Sequence, residues 1–109
     1  MRSTTVTQTD SGRTVELELD DELIVELAET PAAGFRWTLA QSADGVLTSR
    51  GSGYIAGQGP PGAGGMARWV FVASGAGRAR IVLNCVRAWE KDPSPCSTFE
   101  LDVDVSPRP

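Results

Sequence analysis

Apolar and charged residues alternate along both ends of this chain of 109 residues. Over positions 15–19 valine and leucine alternate with glutamate, and over positions 99–105 phenylalanine, leucine and valine alternate with glutamate and aspartate. Successive side chains of a β-strand point to opposite faces, so each segment predicts a strand with one buried and one solvated face. Such strands have to be covered on their apolar side, which favours a layered β-structure.

Period-two patterns also recur about every ten residues between these ends, the spacing that is typical of a β-sandwich or barrel. A helix over 20–29 is the best competing interpretation, but β-branched Ile24 and Val25 favour a strand there. Turn-forming residues at 10–12, 42–45 and 75–77 separate the strands. We predict an all-β fold of about seven to eight strands, at 4–9, 13–19, 22–28, 36–41, 47–54, 67–73, 78–87 and 99–105.

The length and the 40% hydrophobic content predict a single domain over residues 1–109, with a core from about 4 to 105 and a flexible tail at 106–109. No apolar stretch is long enough to span a membrane, and the N-terminus lacks the hydrophobic core of a signal peptide. We expect a monomer that does not bind membranes. It would be cytoplasmic, or exported if a leader has been removed.

The net charge of −4 argues against binding to nucleic acid, which depends on clustered lysine and arginine. Arg78 and Arg80 are the nearest approach to a basic cluster, and their spacing favours a solvated strand face. Histidine is absent, which removes the commonest general base and metal ligand. No pair of C-x-x-C motifs suggests zinc. We therefore predict no catalytic residue, no metal and no cofactor.

Three short segments lie between the predicted strands and combine small, turn-forming and aromatic residues. Residues at strand ends can gather at one edge of a sandwich, where β-domains usually carry their binding surfaces. The glycine-rich segment is not a phosphate loop, because a strand and not a helix follows it. The predicted contact residues are Thr30, Pro31, Ala32, Ala33, Gly34 and Phe35, then Gly62, Ala63, Gly64 and Gly65, then Arg87, Ala88 and Trp89.

Each segment also has a purely structural interpretation. The first and second segments could be plain connections between strands, and Trp89 could fold back over its own hairpin. A tryptophan placed just past a strand end also fits an interface anchor, since Trp and Arg dominate binding hot spots. Trp37 lies where its strand would begin its core face, so we interpret it as core packing.

Cys85 and Cys96 flank the third segment. In an oxidising compartment they could form a disulfide across the neck of the hairpin, whereas in a reducing one they would stay thiols. A reactive role is disfavoured because the chain has no histidine to activate a thiol.

Taken in order, the three segments resemble the chagasin-type inhibitors of papain-like cysteine peptidases. That family carries a first loop of the form Asn-Pro-Thr-Thr-Gly followed by Tyr or Phe, a central Gly-x-Gly-Gly loop and a late loop beginning Arg-Pro-Trp. The corresponding residues here are Thr-Pro-Ala-Ala-Gly-Phe, Gly-Ala-Gly-Gly and Arg-Ala-Trp. The resemblance extends over about residues 14–105.

The resemblance implies an immunoglobulin-like β-sandwich whose three loops form a wedge that enters the peptidase cleft. The first loop would lie over the catalytic cysteine, the glycine-rich loop along the substrate-binding side, and Trp89 on the opposite side. Inhibition of the papain-like cysteine peptidase would then be reversible and non-covalent.

The chain departs from the family pattern at four of these positions. Thr30 stands where the family has Asn, Ala32 and Ala33 replace the threonine pair, and Ala88 replaces Pro. The resemblance implies that this chain lacks hydroxyl groups that could form hydrogen bonds near the catalytic centre of the peptidase. The alternative function is an immunoglobulin-like interaction module that has lost peptidase inhibition.

Overall fold

The strands account for most of the part of the chain that the computed structural model describes, namely residues 2–29, 35–56, 65–87 and 97–107. Eight strands and one short 3₁₀ helix follow one another along these residues, which confirms the all-β prediction. In chain order they are β1 (Ser3–Val6), the 3₁₀ helix (Gln8–Asp10), β2 (Thr14–Glu18), β3 (Glu22–Glu29), β4 (Phe35–Ser42), β5 (Leu47–Ala56), β6 (Gly65–Ala73), β7 (Gly77–Arg87) and β8 (Ser97–Ser106).

The strands form two sheets of four strands each. The first sheet has the order β1-β3-β6-β5 and the second has the order β2-β8-β7-β4. β1 pairs with β3 and β2 pairs with β8 in parallel, whereas the other pairs are antiparallel. The two N-terminal strands are thus divided between the sheets, one at an edge of each.

The core lies between the sheets and is built from the alternating apolar positions. Leu101 and Leu83 of the second sheet are fully buried against Phe71 and Val25 of the first. The predicted inward residues of the last strand are all buried, with Phe99 and Val103 at 1% exposure. The period-two pattern therefore identified the buried faces correctly.

The strand prediction was wrong at one place near the N-terminus. The predicted strand 4–9 ends at Val6, and Gln8–Asp10 forms the 3₁₀ helix instead. The reason is local hydrogen bonding: the Thr7 amide donates to Asp10 Oδ2 at 3.0 Å, and the Asp10 amide donates to the Thr7 carbonyl at 2.9 Å. A short polar side chain that closes a turn in this way competes with the sheet.

The segment 22–29 is a strand and not a helix, as its β-branched residues indicated. Val25 faces the core with no exposed surface, and Ile24 on the opposite face is also buried, at 7% exposure. The rest of that outer face is more open, since Glu22 and Glu26 are partly exposed and Ala28 is exposed. Among the described residues, no helix has the length and apolar character needed to cross a bilayer.

One end of the sandwich is closed by the short connections 19–21, 43–46 and 74–76, and we call it the turn end. The carboxylate of Asp21 is 5% exposed and accepts the amide N–H groups of Arg2 at 3.1 Å and Glu18 at 3.0 Å. The amides of Ser74 and Gly75 both donate to the Val46 carbonyl, at 2.9 and 3.1 Å. These bonds tie the N-terminus and the three connections together.

Candidate functional site

The opposite end of the sandwich carries the strand ends that flank all three predicted segments, and we call it the loop end. In the first sheet, Gly65 at the start of β6 pairs with Glu29 on one side and Ala56 on the other. In the second sheet, Phe35 at the start of β4 pairs with Arg87 at the end of β7. The residues at which segments 30–34, 57–64 and 88–96 begin and end therefore lie close together.

Trp37 joins the two sheets at the loop end. Its indole Nε1 donates to the Ala28 carbonyl of β3 at 2.8 Å, and its backbone amide donates to Glu29 Oε2 at 2.9 Å. The Trp37 side chain is only 8% exposed and belongs to the core, which confirms its structural interpretation. Both bonds join β3 to β4, the two strands between which the first predicted segment runs.

Glu29 is a site residue that sequence reasoning missed. It is the last residue of β3, and its carboxylate holds the start of the next strand instead of facing only water. A charge-assisted bond of this kind is stronger than one between neutral groups. An acidic residue at the last position of a buried strand, directly before a predicted binding loop, was the available signal.

The structure describes only part of the predicted contact surface. Gly65 and the backbones of Phe35 and Arg87 lie at the loop end, at the positions expected from the sequence. The other predicted contact residues lie outside the described residues, and their roles stay predictions; they are Thr30, Pro31, Ala32, Ala33, Gly34, Gly62, Ala63, Gly64, Ala88 and Trp89.

Cys85 is buried in β7, where it lies opposite Trp37 of β4 and Ser97 of β8. Cys96 immediately precedes Ser97 but lies outside the described residues, so the disulfide stays a prediction.

Charged residues on the face of the second sheet behave as the sequence predicted. Arg78 and Arg80 are exposed and pair across the strands with Asp104 at 3.2 Å and Asp102 at 2.8 Å. Arg80 lowers the pKa of Asp102 by its hydrogen bond. Within the described ranges, no group of three Cys, Asp or Glu side chains could hold a metal ion.

The sequence matches the model of the chagasin family of peptidase inhibitors, I42, over residues 16–103. The match extends over most of the chain and includes both flanks of every predicted loop. The chain therefore belongs to the chagasin family of peptidase inhibitors. This membership supports inhibition over a module that has lost it, and it supports the prediction that the chain is not an enzyme.

Solved structures confirm the fold. The cysteine protease inhibitor EhICP2 from Entamoeba histolytica superposes with a TM-score of 0.84 at 16% identity, covering 96% of each chain. Amebosin gives a TM-score of 0.73 at 25% identity and covers 94% of this chain and 96% of its own. PbICP-C, whose structure is in complex with falcipain-2, gives 0.56 at 16% identity and covers 98% and 92%. No curated protein sequence matches the chain significantly.

Proposed function

We propose that this protein inhibits papain-like cysteine peptidases by inserting its loop end into the active-site cleft, reversibly and without a covalent bond. The observation that carries the proposal is the common location of the strand ends flanking segments 30–34, 57–64 and 88–96 in a chain of the chagasin family. Two of the similar structures are a cysteine protease inhibitor and an inhibitor bound to falcipain-2, which agrees with this target class.

The composition of the three segments suits a narrow cleft. Small residues at 32–34 would let the backbone approach the catalytic centre closely, and Gly62, Gly64 and Gly65 would do the same along the substrate-binding side. Trp89 would supply the large anchor that such an interface needs. None of these residues has to react with the peptidase thiol.

The described part of the loop end supports tight binding through preorganisation. The two bonds of Trp37 fix the ends of the first segment before any partner arrives. A surface that is already held in place loses less conformational entropy on docking. A Trp37→Phe variant should therefore weaken inhibition even though Trp37 lies in the core.

Titration of papain with the protein tests the proposal, with hydrolysis of a fluorogenic peptide as the readout. We expect competitive inhibition that is reversed by dilution and leaves the inhibitor uncleaved. An Arg78→Gln variant, altered at the turn-end start of β7, is the control and should inhibit equally well. Absence of inhibition at micromolar concentration would contradict the proposal.

Capture by a blocked peptidase tests the non-covalent part separately. Papain whose catalytic cysteine has been carbamidomethylated carries a stable thioether there, so that cysteine can neither attack the inhibitor nor exchange with its thiols. We expect this papain still to bind the protein in a pull-down. Binding that required the free thiol would overturn the mechanism while leaving the inhibitory function intact.

A further inference from the structure

The edge of β5 is open along the half of the strand that leads to the loop end. β5 is the last strand of its sheet and, among the described strands, pairs only with β6. A register shift between Ser49 and Gly51 marks a bulge that interrupts the first half. From Gly51 to Ala56 the strand contains neither a charged residue nor proline.

The other three edges are protected in the ways that proteins commonly use. β1 is short, β2 carries Glu16 and Glu18, and β4 carries Arg36. Short strands and charged side chains prevent another chain from pairing with an edge. The second half of β5 has no such protection, and no other described strand pairs with its outer edge, so the backbone groups there can accept a further strand.

A groove lies on each face of this open edge. The inner groove, between β5 and β4, has a volume of 520 Å³ and is lined by Trp37, Trp69, Tyr54, Glu29 and Arg36 among others. The outer groove, on the solvent face of the sheet, has a volume of 290 Å³ and includes Gly51, Gly53, Ile55, Arg68 and Val70. A strand added to β5 would direct its side chains alternately towards these two grooves.

The inner groove suits an apolar or aromatic side chain. Trp69 is partly buried and packs against the core, whereas Tyr54 is 43% exposed. Glu29 and Arg36 carry opposite charges at its border, so neither sign of charge is favoured there. Aromatic walls without a net charge bind best by burial of apolar surface.

The outer groove suits an acidic side chain. Arg68 is its only charged lining residue, and the buried Nε atom of Arg68 has no hydrogen-bond partner among the described residues. Glu26 of β3 is the neighbour of Arg68 on the side away from β5. Gly53 lies beside Arg68 on β5, and a Cβ placed there would meet no atom within 4 Å, so the space above Gly53 is open. A carboxylate on a strand added to β5 would bring a negative charge to the side of the groove that Arg68 lines.

We propose that the edge of β5 from Gly51 to Ala56 binds an extended polypeptide segment in which apolar and acidic residues alternate. The segment adds to the sheet as a further strand, with main-chain hydrogen bonds for affinity and the two grooves for side-chain selection. This site is on the flank of the sandwich, and its use does not depend on peptidase inhibition.

Titration of ¹⁵N-labelled protein with a capped synthetic nonapeptide of alternating leucine and glutamate tests the proposal by NMR. We expect amide shifts for residues 51–56 and for Arg68, with slowed hydrogen exchange along β5. A peptide with lysine in place of glutamate should bind more weakly by about fivefold, the size of an exposed charge interaction. Absence of shifts on β5, or equal binding of both peptides, would overturn the proposal.

Two pairs of variants locate the site. Gly53→Val places a strand-favouring side chain in the open space of the outer groove beside Arg68 and should abolish binding, whereas Ser49→Val on the other side of the bulge should leave it unchanged. Arg68→Gln should remove the preference for glutamate over lysine, while Arg50→Gln, an equal loss of charge outside both grooves, should keep it.

Sedimentation of the protein alone tests whether a second copy occupies the edge instead. The proposal expects a monomer at the concentrations of the titration. A dimer that Gly53→Val dissociates would show that β5 pairs with itself, which would overturn the assignment to a foreign segment.

Discussion

The two ends of the sandwich differ in how their connections are made. At the turn end the connections 19–21, 43–46 and 74–76 are short, and hydrogen bonds to Asp21 and Val46 hold them together. At the loop end the connections 30–34, 57–64 and 88–96 are longer. The hydrogen bonds of Trp37 join β3 and β4, the two strands that connection 30–34 links. The turn end is tied by backbone bonds between its connections, whereas the loop end carries the predicted contact residues.

Because the two ends differ in this way, stability should respond mainly to substitutions at the turn end, and inhibition mainly to substitutions at the loop end. Loops positioned by a rigid scaffold commonly carry the binding residues of a β-domain. Changes at the turn end should lower the free energy of unfolding and leave the affinity of the folded protein unchanged. Changes in the loops should lower the affinity for the peptidase and leave the free energy of unfolding unchanged.

Gly75→Ala should give the largest effect on stability. A Cβ at position 75 would collide with the Gly45 carbonyl oxygen, and backbone atoms on both sides leave no flexible group that could move away. We expect a loss of about 3 kcal/mol in the free energy of unfolding, the upper part of the range for overpacking. Chemical denaturation followed by tryptophan fluorescence measures it.

Gly53→Ala is the matched control for Gly75→Ala. A Cβ at position 53 would meet no atom within 4 Å, so we expect a change of no more than about 0.5 kcal/mol. Inhibition per folded molecule should be normal for both variants. A stable Gly75→Ala protein, or a folded one that inhibits poorly, would contradict the separation of the two ends.

Trp89→Ala should give the largest effect on inhibition. Loss of an aromatic anchor at an interface should weaken binding to the peptidase by about 1–4 kcal/mol. Inhibition constants for papain measure the loss, and thermal unfolding should show no comparable destabilisation. A Trp89 that folds back over its own hairpin would instead give lower stability with little change in affinity.

Much of the fold could be predicted from the sequence because alternation reports burial directly. Leu101 and Val103 both face the core, whereas the acidic residues next to them in the sequence face away from it. The alternation of residue types predicts this without coordinates. The pairing order could not be predicted in this way. The parallel placement of β1 and β2 in different sheets depends on contacts between distant parts of the chain, on which local pattern has no bearing.

The candidate site was predicted from motifs and not from physical pattern. Ordered loop motifs identified the family, which the match over residues 16–103 confirmed. The support that Glu29 gives to Trp37 was missed, because an exposed acid at a strand end looks the same whether or not it holds a neighbouring strand. The grooves beside β5 were missed because they depend on how several strands pack; the inner groove alone combines residues of β3, β4, β5 and β6.

Restoring threonine at positions 32 and 33 should improve inhibition by a smaller amount. The family pattern has threonine at both positions, and its hydroxyl groups could form hydrogen bonds near the catalytic centre. We expect the double variant to bind papain about tenfold more tightly, equivalent to one or two net hydrogen bonds. The measurement is the inhibition constant, with Ala76→Thr at the turn end as the control. Unchanged inhibition would show that these hydroxyl groups do not contribute.

Asp21→Asn should destabilise the fold less than Gly75→Ala does, and its effect should depend on pH. The amide hydrogen bond from Glu18, helped by that from Arg2, lowers the pKa of Asp21 below its ordinary value of 3.8. A carboxylate with a depressed pKa stabilises the folded state above its unfolded pKa, and this stabilisation is lost as the pH falls through the folded value. The melting temperature of the variant should therefore lie below that of the native protein at pH 7, and the difference should shrink below about pH 4.

Asp102→Asn distinguishes this backbone attachment from an ordinary surface pair. Arg80 lowers the pKa of Asp102 too, but both side chains are about half exposed, at 50% and 46%. Salt screens an exposed pair, whereas the bonds from the Arg2 and Glu18 amides to Asp21 are short and lie in a largely buried position. In 1 M salt, Asp102→Asn should no longer lower the melting temperature, whereas Asp21→Asn should still lower it. If salt removed both, the turn end would be held by surface charge and the contrast between the two ends would fail.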